Sequence, residues 1–351
     1  MKTKSIYFLK VIFIPVITFL VGFICSSFSE EPKTDIKFVI PKGWPKPVYD
    51  FTKNPVTQDG FNLGKKLFFD PLLSKDTTTS CSSCHLQFTA YTHVDHAVSH
   101  GIKGLKGTRN TLSLVNLAWN KNFMWDGGVN NLEVQPLAPI TSPVEMDNTL
   151  ETIVSRLSKS PSYQKKFKLA FGDTASVTGQ RVLKALAQFM VSIQSYNSKY
   201  DKVMRHGTGV VFTESENHGL KLFRKHCESC HKEPLFTNGE FENNGLEPDT
   251  KYKDGGRIKI TTHKTDSLKF RVPSLRNIEV SVPYMHDGRF SNLEMVLFHY
   301  TAGIYKTPFL SSKLSKAIVM NEQDKKDLLA FLKTLTDQEF LYDKRFRYSV
   351  N

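Results

Sequence analysis

The sequence predicts a mainly α-helical fold built from two related units joined by long loops. Apolar residues recur at helical spacing, strand-like alternation is sparse, and one short pattern occurs twice. The first copy is Gly64-Lys-Lys-Leu67-Phe68 followed by Cys81-Ser-Ser-Cys84-His85. The second is Gly219-Leu-Lys-Leu222-Phe223 followed by Cys227-Glu-Ser-Cys230-His231. From glycine to first cysteine the interval is 17 residues in one copy and 8 in the other, so the first carries an insertion.

The chain has 351 residues, 40% hydrophobic and 23% charged. That composition belongs to a folded chain of about two domains and excludes disordered, collagenous and multi-span membrane proteins. The net charge of +13 comes without any block of basic residues, which argues against a nucleic-acid partner. Five cysteines are too few for a disulfide scaffold of this length.

Residues 1–29 place Lys2, Lys4 and Lys10 before the apolar run Val11–Ile24 and then Cys25-Ser-Ser. A basic head, apolar middle and small polar exit form a signal-peptide pattern and predict export to the periplasm. Soluble release, an uncleaved helical anchor and lipidation at Cys25 all stay open, although Phe23 and Ile24 are bulky for lipoprotein cleavage. Residues 30–48 read as a proline-containing tether. The first unit is assigned to 49–205 and the second to 206–351, with His206-Gly-Thr-Gly-Val210 as linker. Arg181–Tyr196 reads as a largely buried helix. Thr213-Glu-Ser-Glu216 is a capping box that opens the helix bearing Leu220 and Phe223. Asn321 caps a terminal helix whose Leu328, Phe331, Leu332 and Leu335 share a face. Residues 101–148 and 233–292 are long loops, and loops of that length need an organiser such as a bulky prosthetic group.

Cys-x-x-Cys-His is the attachment signature of c-type haem. The two thiols add across the haem vinyl groups, and the neighbouring histidine becomes the axial ligand of the iron. A zinc site would need its cysteine pairs together, but these are about 140 residues apart. A thioredoxin-like dithiol needs a βαβ context, which the sequence lacks. Two covalent haems are therefore expected, one on Cys81, Cys84 and His85, the other on Cys227, Cys230 and His231, each in a cytochrome c-like domain.

The stretch after the first motif contains His100-Gly101, Gly107-Thr-Arg109-Asn110, Phe123-Met-Trp125-Asp126-Gly127, Leu132-Glu-Val-Gln135 and Pro143-Val-Glu145-Met146. With these segments the chain resembles the bacterial di-haem cytochrome c peroxidase family, which includes the relative that matures methylamine dehydrogenase (MauG). The likeness runs from about Gly64 to Thr336.

The resemblance implies that His85 is the proximal ligand of a peroxidatic haem, with Gln135 and Glu145 in its distal pocket. Glu145 then suits general acid–base work, its pKa raised by an apolar pocket. Gln135 orients the peroxide, and Trp125 lies between the haems as a relay. His100 matches a removable sixth iron ligand, with His93 and His96 as competitors for that role. For the second haem, typical peroxidases place a methionine opposite His231. The matching position here is Tyr300, on the apolar stripe Leu293, Val296, Leu297, Tyr300. Met295 and His299 remain alternatives. Tyrosine there is the pattern of the maturation enzyme, and an anionic oxygen ligand favours a low-potential haem. The family's calcium ion maps to Asn110, Ser281 and Pro283.

The activity implied is reduction of hydrogen peroxide by electrons from a small redox protein of the cytochrome c or cupredoxin type. Oxidation of side chains in a partner protein, and passive electron transfer, are the alternatives. The family contains both homodimers and monomers, so oligomeric state stays open.

Overall fold

The structure, a computed structural model, describes residues 36–348. The leader, Cys25 and the start of the tether lie outside the described residues. Eleven helices lie among the described residues: α1 (Gln58–Phe69), α2 (Leu137–Thr141), α3 (Leu150–Ser158), α4 (Pro161–Phe171), α5 (Gly179–Val191), α6 (Lys199–Met204), α7 (Glu214–His226), α8 (Ile258–Thr261), α9 (Leu293–Ala302), α10 (Glu322–Lys333) and α11 (Gln338–Leu341). Sheet is confined to a two-residue antiparallel pair, β1 (Phe241–Glu242) and β2 (Phe270–Arg271). No helix among the described residues is long and apolar enough to cross a membrane.

Two helix pairs carry the architecture: α1 packs on α5, and α7 packs on α10. The repeated Gly-x-x-Leu-Phe explains both. A Cβ on Gly64 would run into the Ala185 carbonyl of α5, and one on Gly219 into the Asp327 carbonyl of α10. Only glycine permits backbones so close. Leu67, Phe68, Leu222 and Phe223 then fill the cores beside each crossing. Thr57 caps α1 by accepting from the Gly60 N–H, and Thr213 and Glu216 form the expected reciprocal box on α7. Asn321 and Asp324 do the same for α10. Helix α5 begins at Gly179 and stops at Val191, short of the expected Tyr196. The apolar pattern misleads there because Ile193 stays fully buried after the helix has ended.

There are two apolar cores. The first gathers side chains of α1, α3, α4 and α5, and the second those of α7, α9 and α10. Each also takes residues from across the 205/206 cut. Phe340, Leu341 and Phe346 join the first, and Tyr200 of α6 joins the second. The Tyr91 hydroxyl fastens that returning segment by donating to the Phe346 carbonyl at 3.1 Å.

A second repeat emerges in three dimensions. Ser113-Leu-Val-Asn116 with Phe123-Met124-Trp125-Asp-Gly127 matches Ser274-Leu-Arg-Asn277 with Tyr284-Met285-His286-Asp-Gly288 at equal spacing. Asn116 and Asn277 both adopt φ 60°, and Met124 and Met285 adopt φ 67° and 75°. The Asn116 N–H donates to the Ile193 carbonyl at 2.9 Å, and the Asn277 N–H to the Leu335 carbonyl at 3.0 Å. Each acceptor lies two residues beyond its helix, α5 or α10. The long loops are thus two copies of one structure, pinned to equivalent helix ends.

Candidate functional site

Both Cys-x-x-Cys-His motifs fold as a single tight turn. The His85 N–H donates to the Cys81 carbonyl at 3.0 Å, and the His231 N–H to the Cys227 carbonyl at 2.9 Å. Each imidazole is then fixed through Nδ1. His85 Nδ1 donates to the Tyr91 carbonyl at 2.7 Å, while His231 Nδ1 faces the Phe236 and Pro273 carbonyls at 3.2 and 3.1 Å. A donor at Nδ1 leaves the Nε2 lone pair free, as an axial ligand requires. Burial pushes both imidazoles down to about 4, so they stay neutral at neutral pH.

The four thiols form no disulfide. Burial pushes Cys81 and Cys227 up to about 12 and Cys84 up to about 11. Reactive redox thiols have depressed values, so these environments do not favour a dithiol switch.

The second motif opens on a cavity of about 230 Å³ lined by Cys227, Cys230 and His231 and by Leu293, Val296, Leu297 and Tyr300 of α9. The apolar stripe expected from the sequence therefore faces the motif, Tyr300 included. The Asn244 amide approaches the Tyr300 hydroxyl at 3.4 Å, and burial pushes the phenol up to about 12. Met295 is 40% exposed and His299 is buried with Nε2 on the Asn244 carbonyl at 3.0 Å; neither lines the cavity. Met285 does line it, a sulfur the sequence reading passed over.

Three buried polar atoms on this wall have no partner: Thr111 Oγ1, His226 Nε2 and Arg271 Nε. Leaving such groups unpaired costs about 1–3 kcal/mol each. A haem fits this donor set: thiols for its vinyl groups, an imidazole for its iron, and a buried guanidinium for a propionate.

Trp125, Asn110, Ser281 and Pro283 line the same cavity. The Trp125 indole donates to the Asn110 carbonyl at 2.8 Å, and its own carbonyl accepts from the Arg271 N–H at 2.7 Å. Trp125 is thus anchored to the second motif's cavity from a loop of the first half. The Asn110 side-chain amide donates to the Ala97 carbonyl at 2.9 Å, which leaves its oxygen available.

Around the first motif, Glu145 lies close enough to Cys81 and Cys84 that its charge raises both thiols. Its own carboxyl is raised by burial. The Glu145 carbonyl accepts from the Ile102 N–H at 2.8 Å, and a Cβ on Gly101 would collide with the Glu145 backbone. His100-Gly101 and Glu145 are therefore packed together. Gln135 precedes α2 and donates to Met124 Sδ at 3.7 Å; it makes no hydrogen bond to Glu145. The His100 ring stacks on His96, centroids 4.4 Å apart, with His93 at 5.3 Å. The sequence pointed to these histidines as competitors, and the structure groups them.

Two haem-attachment turns, each with a buried imidazole locked in the ligating tautomer, define a di-haem c-type cytochrome. The comparisons agree. The model of the di-haem cytochrome c peroxidase family matches residues 58–208. The chain is 36% identical over 287 residues to the methylamine utilization protein MauG of Methylorubrum extorquens, covering 80% of this chain and 79% of that protein. It is 33% identical over 289 residues to the cytochrome c551 peroxidase of Nitrosomonas europaea, covering 81% and 82%. A crystal structure of a MauG-like protein associated with microbial copper homeostasis superposes with a TM-score of 0.79 at 32% identity, covering 89% of this chain and 98% of that one. The chain belongs to the di-haem cytochrome c peroxidase family. It is an oxidoreductase, and its family implies two c-type haems.

Proposed function

We propose that this enzyme reduces hydrogen peroxide, taking two electrons and two protons to give two waters, with a small redox protein as donor. The supporting observation is Glu145, a half-buried carboxyl with a raised pKa beside the thiols of the first motif. Bound haems would supply the redox equivalents and an open iron position. The residues supply the rest. Glu145 accepts a proton from the near peroxide oxygen and returns it to the leaving one. Gln135 orients the peroxide by hydrogen bonding. Trp125, held by Asn110 and Arg271, bridges the first-half loops and the second cavity. His85 and His231 would hold the two irons, with Tyr300 a further ligand to the second and His100 a removable ligand to the first. The reading includes periplasmic export through residues 1–29. It also includes one calcium ion on Asn110, Ser281 and Pro283, supported by the free Asn110 oxygen.

The test is Glu145→Gln in the haem-loaded protein. Peroxide consumption with an artificial donor falls about 10²–10⁴-fold while both haems stay bound. Because the ionised carboxylate is the active base, kcat/KM in the wild type drops as pH falls through a pKa above the ordinary glutamate value, and that limb vanishes in the variant. Undiminished turnover sinks the assignment.

A second reading has the enzyme oxidise side chains of a partner protein. Tyr300 favours it, since the phenol lines the cavity where the peroxidase pattern expects methionine. Tyr300→Met raises the second haem's potential, and Tyr300→Phe alters its spectrum. Spectra unchanged in both variants would remove Tyr300 as a ligand.

A further inference from the structure

We propose that His93, His96 and His100, on the loop beside the first haem-attachment motif, form a binding site for one divalent transition-metal ion of the zinc or copper class. The three side chains offer one nitrogen each, and these nitrogens all lie within 4.8 Å of one another. Small side-chain rotations bring that set to the spacing of ligands around a metal with bonds of roughly 2.0–2.1 Å.

The hydrogen bonds prepare the donors. His93 Nδ1 donates to the Val94 carbonyl at 2.7 Å, and His96 Nδ1 donates to the Asp95 carboxylate at 2.6 Å. Both rings therefore carry their lone pair on Nε2. A carboxylate or carbonyl behind an imidazole is the usual support of a metal ligand. His96 Nε2 is buried and has no hydrogen-bond partner. A buried acceptor nitrogen with nothing to accept from, on a ring stacked against His100, is one that a metal ion would satisfy.

The loop is also held. Bridges between Leu86 and Thr92 and between His100 and Lys106 pin it at either end. Asp95, at φ 68°, turns the chain between His93 and His96. His93 is buried and His96 half-exposed, so an ion reaches the site from solvent. Imidazole ligands suit zinc and copper, and three of them leave a fourth position for water. The site needs only these three rings and shares His100 with the peroxidase reading, so that histidine serves the ion or the haem but not both at once.

The test uses the full chain with both haems, stripped with a chelator and titrated with Zn²⁺ by calorimetry, with metal content measured after desalting. One Zn²⁺ per chain is expected. His96→Gln, which keeps the side chain's bulk, weakens binding by at least the roughly tenfold that loss of an outer-shell partner costs. His93→Ala/His96→Ala loses the ion while haem content matches the wild type. Absence of stoichiometric Zn²⁺ uptake, or wild-type affinity in His96→Gln, overturns the proposal.

Discussion

In the first half of the molecule α1 crosses α5 at Gly64, and in the second α7 crosses α10 at Gly219, each against a carbonyl at the same distance from its helix end. Both halves then hang an asparagine-anchored loop and a Cys-x-x-Cys-His turn on that crossing. They part in what stands near the turn. The first half sets a carboxyl, Glu145, beside its thiols. The second sets a phenol, Tyr300, in a walled cavity. A shared frame holds the motif, and the residues laid over it differ: a carboxyl to which the proposed function gives proton transfer in one half, a phenol to which it gives control of an iron's potential in the other.

The halves also differ in how the frame is fastened. Arg276 in the second half occupies the repeat position of Val115 in the first. Its guanidinium binds both Asp201 oxygens at 2.8 Å, with the two side chains 1% and 3% exposed. Burial alone would raise the Asp201 carboxyl, but the pair with Arg276 and the Ser198 hydrogen bonds hold it below the usual range. Removing one partner of such a pair strands a buried charge. Arg276→Ala should cost about 3–5 kcal/mol in chemical denaturation, against about 1–2 kcal/mol for Val115→Ala. The pH dependence follows from the depressed carboxyl. Its contribution is complete above the unfolded aspartate pKa of about 3.9 and is lost as pH falls through the lower folded value. Equal costs for the two variants would mean that the pair adds no more than the packing it replaces.

The frame itself invites the next test. A Cβ at Gly64 or Gly219 meets backbone, which cannot swing aside. Overpacking of this kind costs about 1–3 kcal/mol. Gly64→Ala and Gly219→Ala should each lower stability by a similar amount, measured as denaturation midpoints. A clear inequality would show that one crossing yields where the other does not.

Much of this was legible because the repeated pattern is contiguous. Glycine, leucine, phenylalanine and the haem motif fall within 22 residues in one copy and 13 in the other. The stripe on α9 was legible too, since helical spacing alone puts Tyr300 with Leu293, Val296 and Leu297. The second repeat was harder to see, because its anchors, Asn116 and Met124 or Asn277 and Met285, are separated by unlike residues with no periodicity. Their common feature is a left-handed backbone, which sequence shows only weakly outside glycine. The return of Phe340 and Phe346 to the first core left no local signal, since a tertiary contact across some 250 residues has none. That the three histidine rings meet was not legible either, because sequence spacing in a loop does not say which rings touch.

The smallest difference lies at the helix caps. In the second half the Thr213 N–H donates to Glu216 of its own helix at 2.7 Å. In the first, the equivalent Thr57 N–H donates to Gln188 of α5 at 3.0 Å. One half satisfies the group locally, and the other recruits the partner helix. Glu216 is partly exposed, so Glu216→Ala exposes the cap to water and should cost about 1 kcal/mol. Gln188 is 2% exposed and also donates to Asn54 Oδ1 at 2.9 Å. Gln188→Ala strands the buried Asn54 amide oxygen and frees the Thr57 N–H, and should cost about 1–3 kcal/mol. The gap between the two variants, read from denaturation of the haem-loaded protein, measures what tertiary rather than local capping contributes. If Gln188→Ala is as mild as Glu216→Ala, water reaches the α1–α5 crossing, and the first half is looser than its buried amide implies.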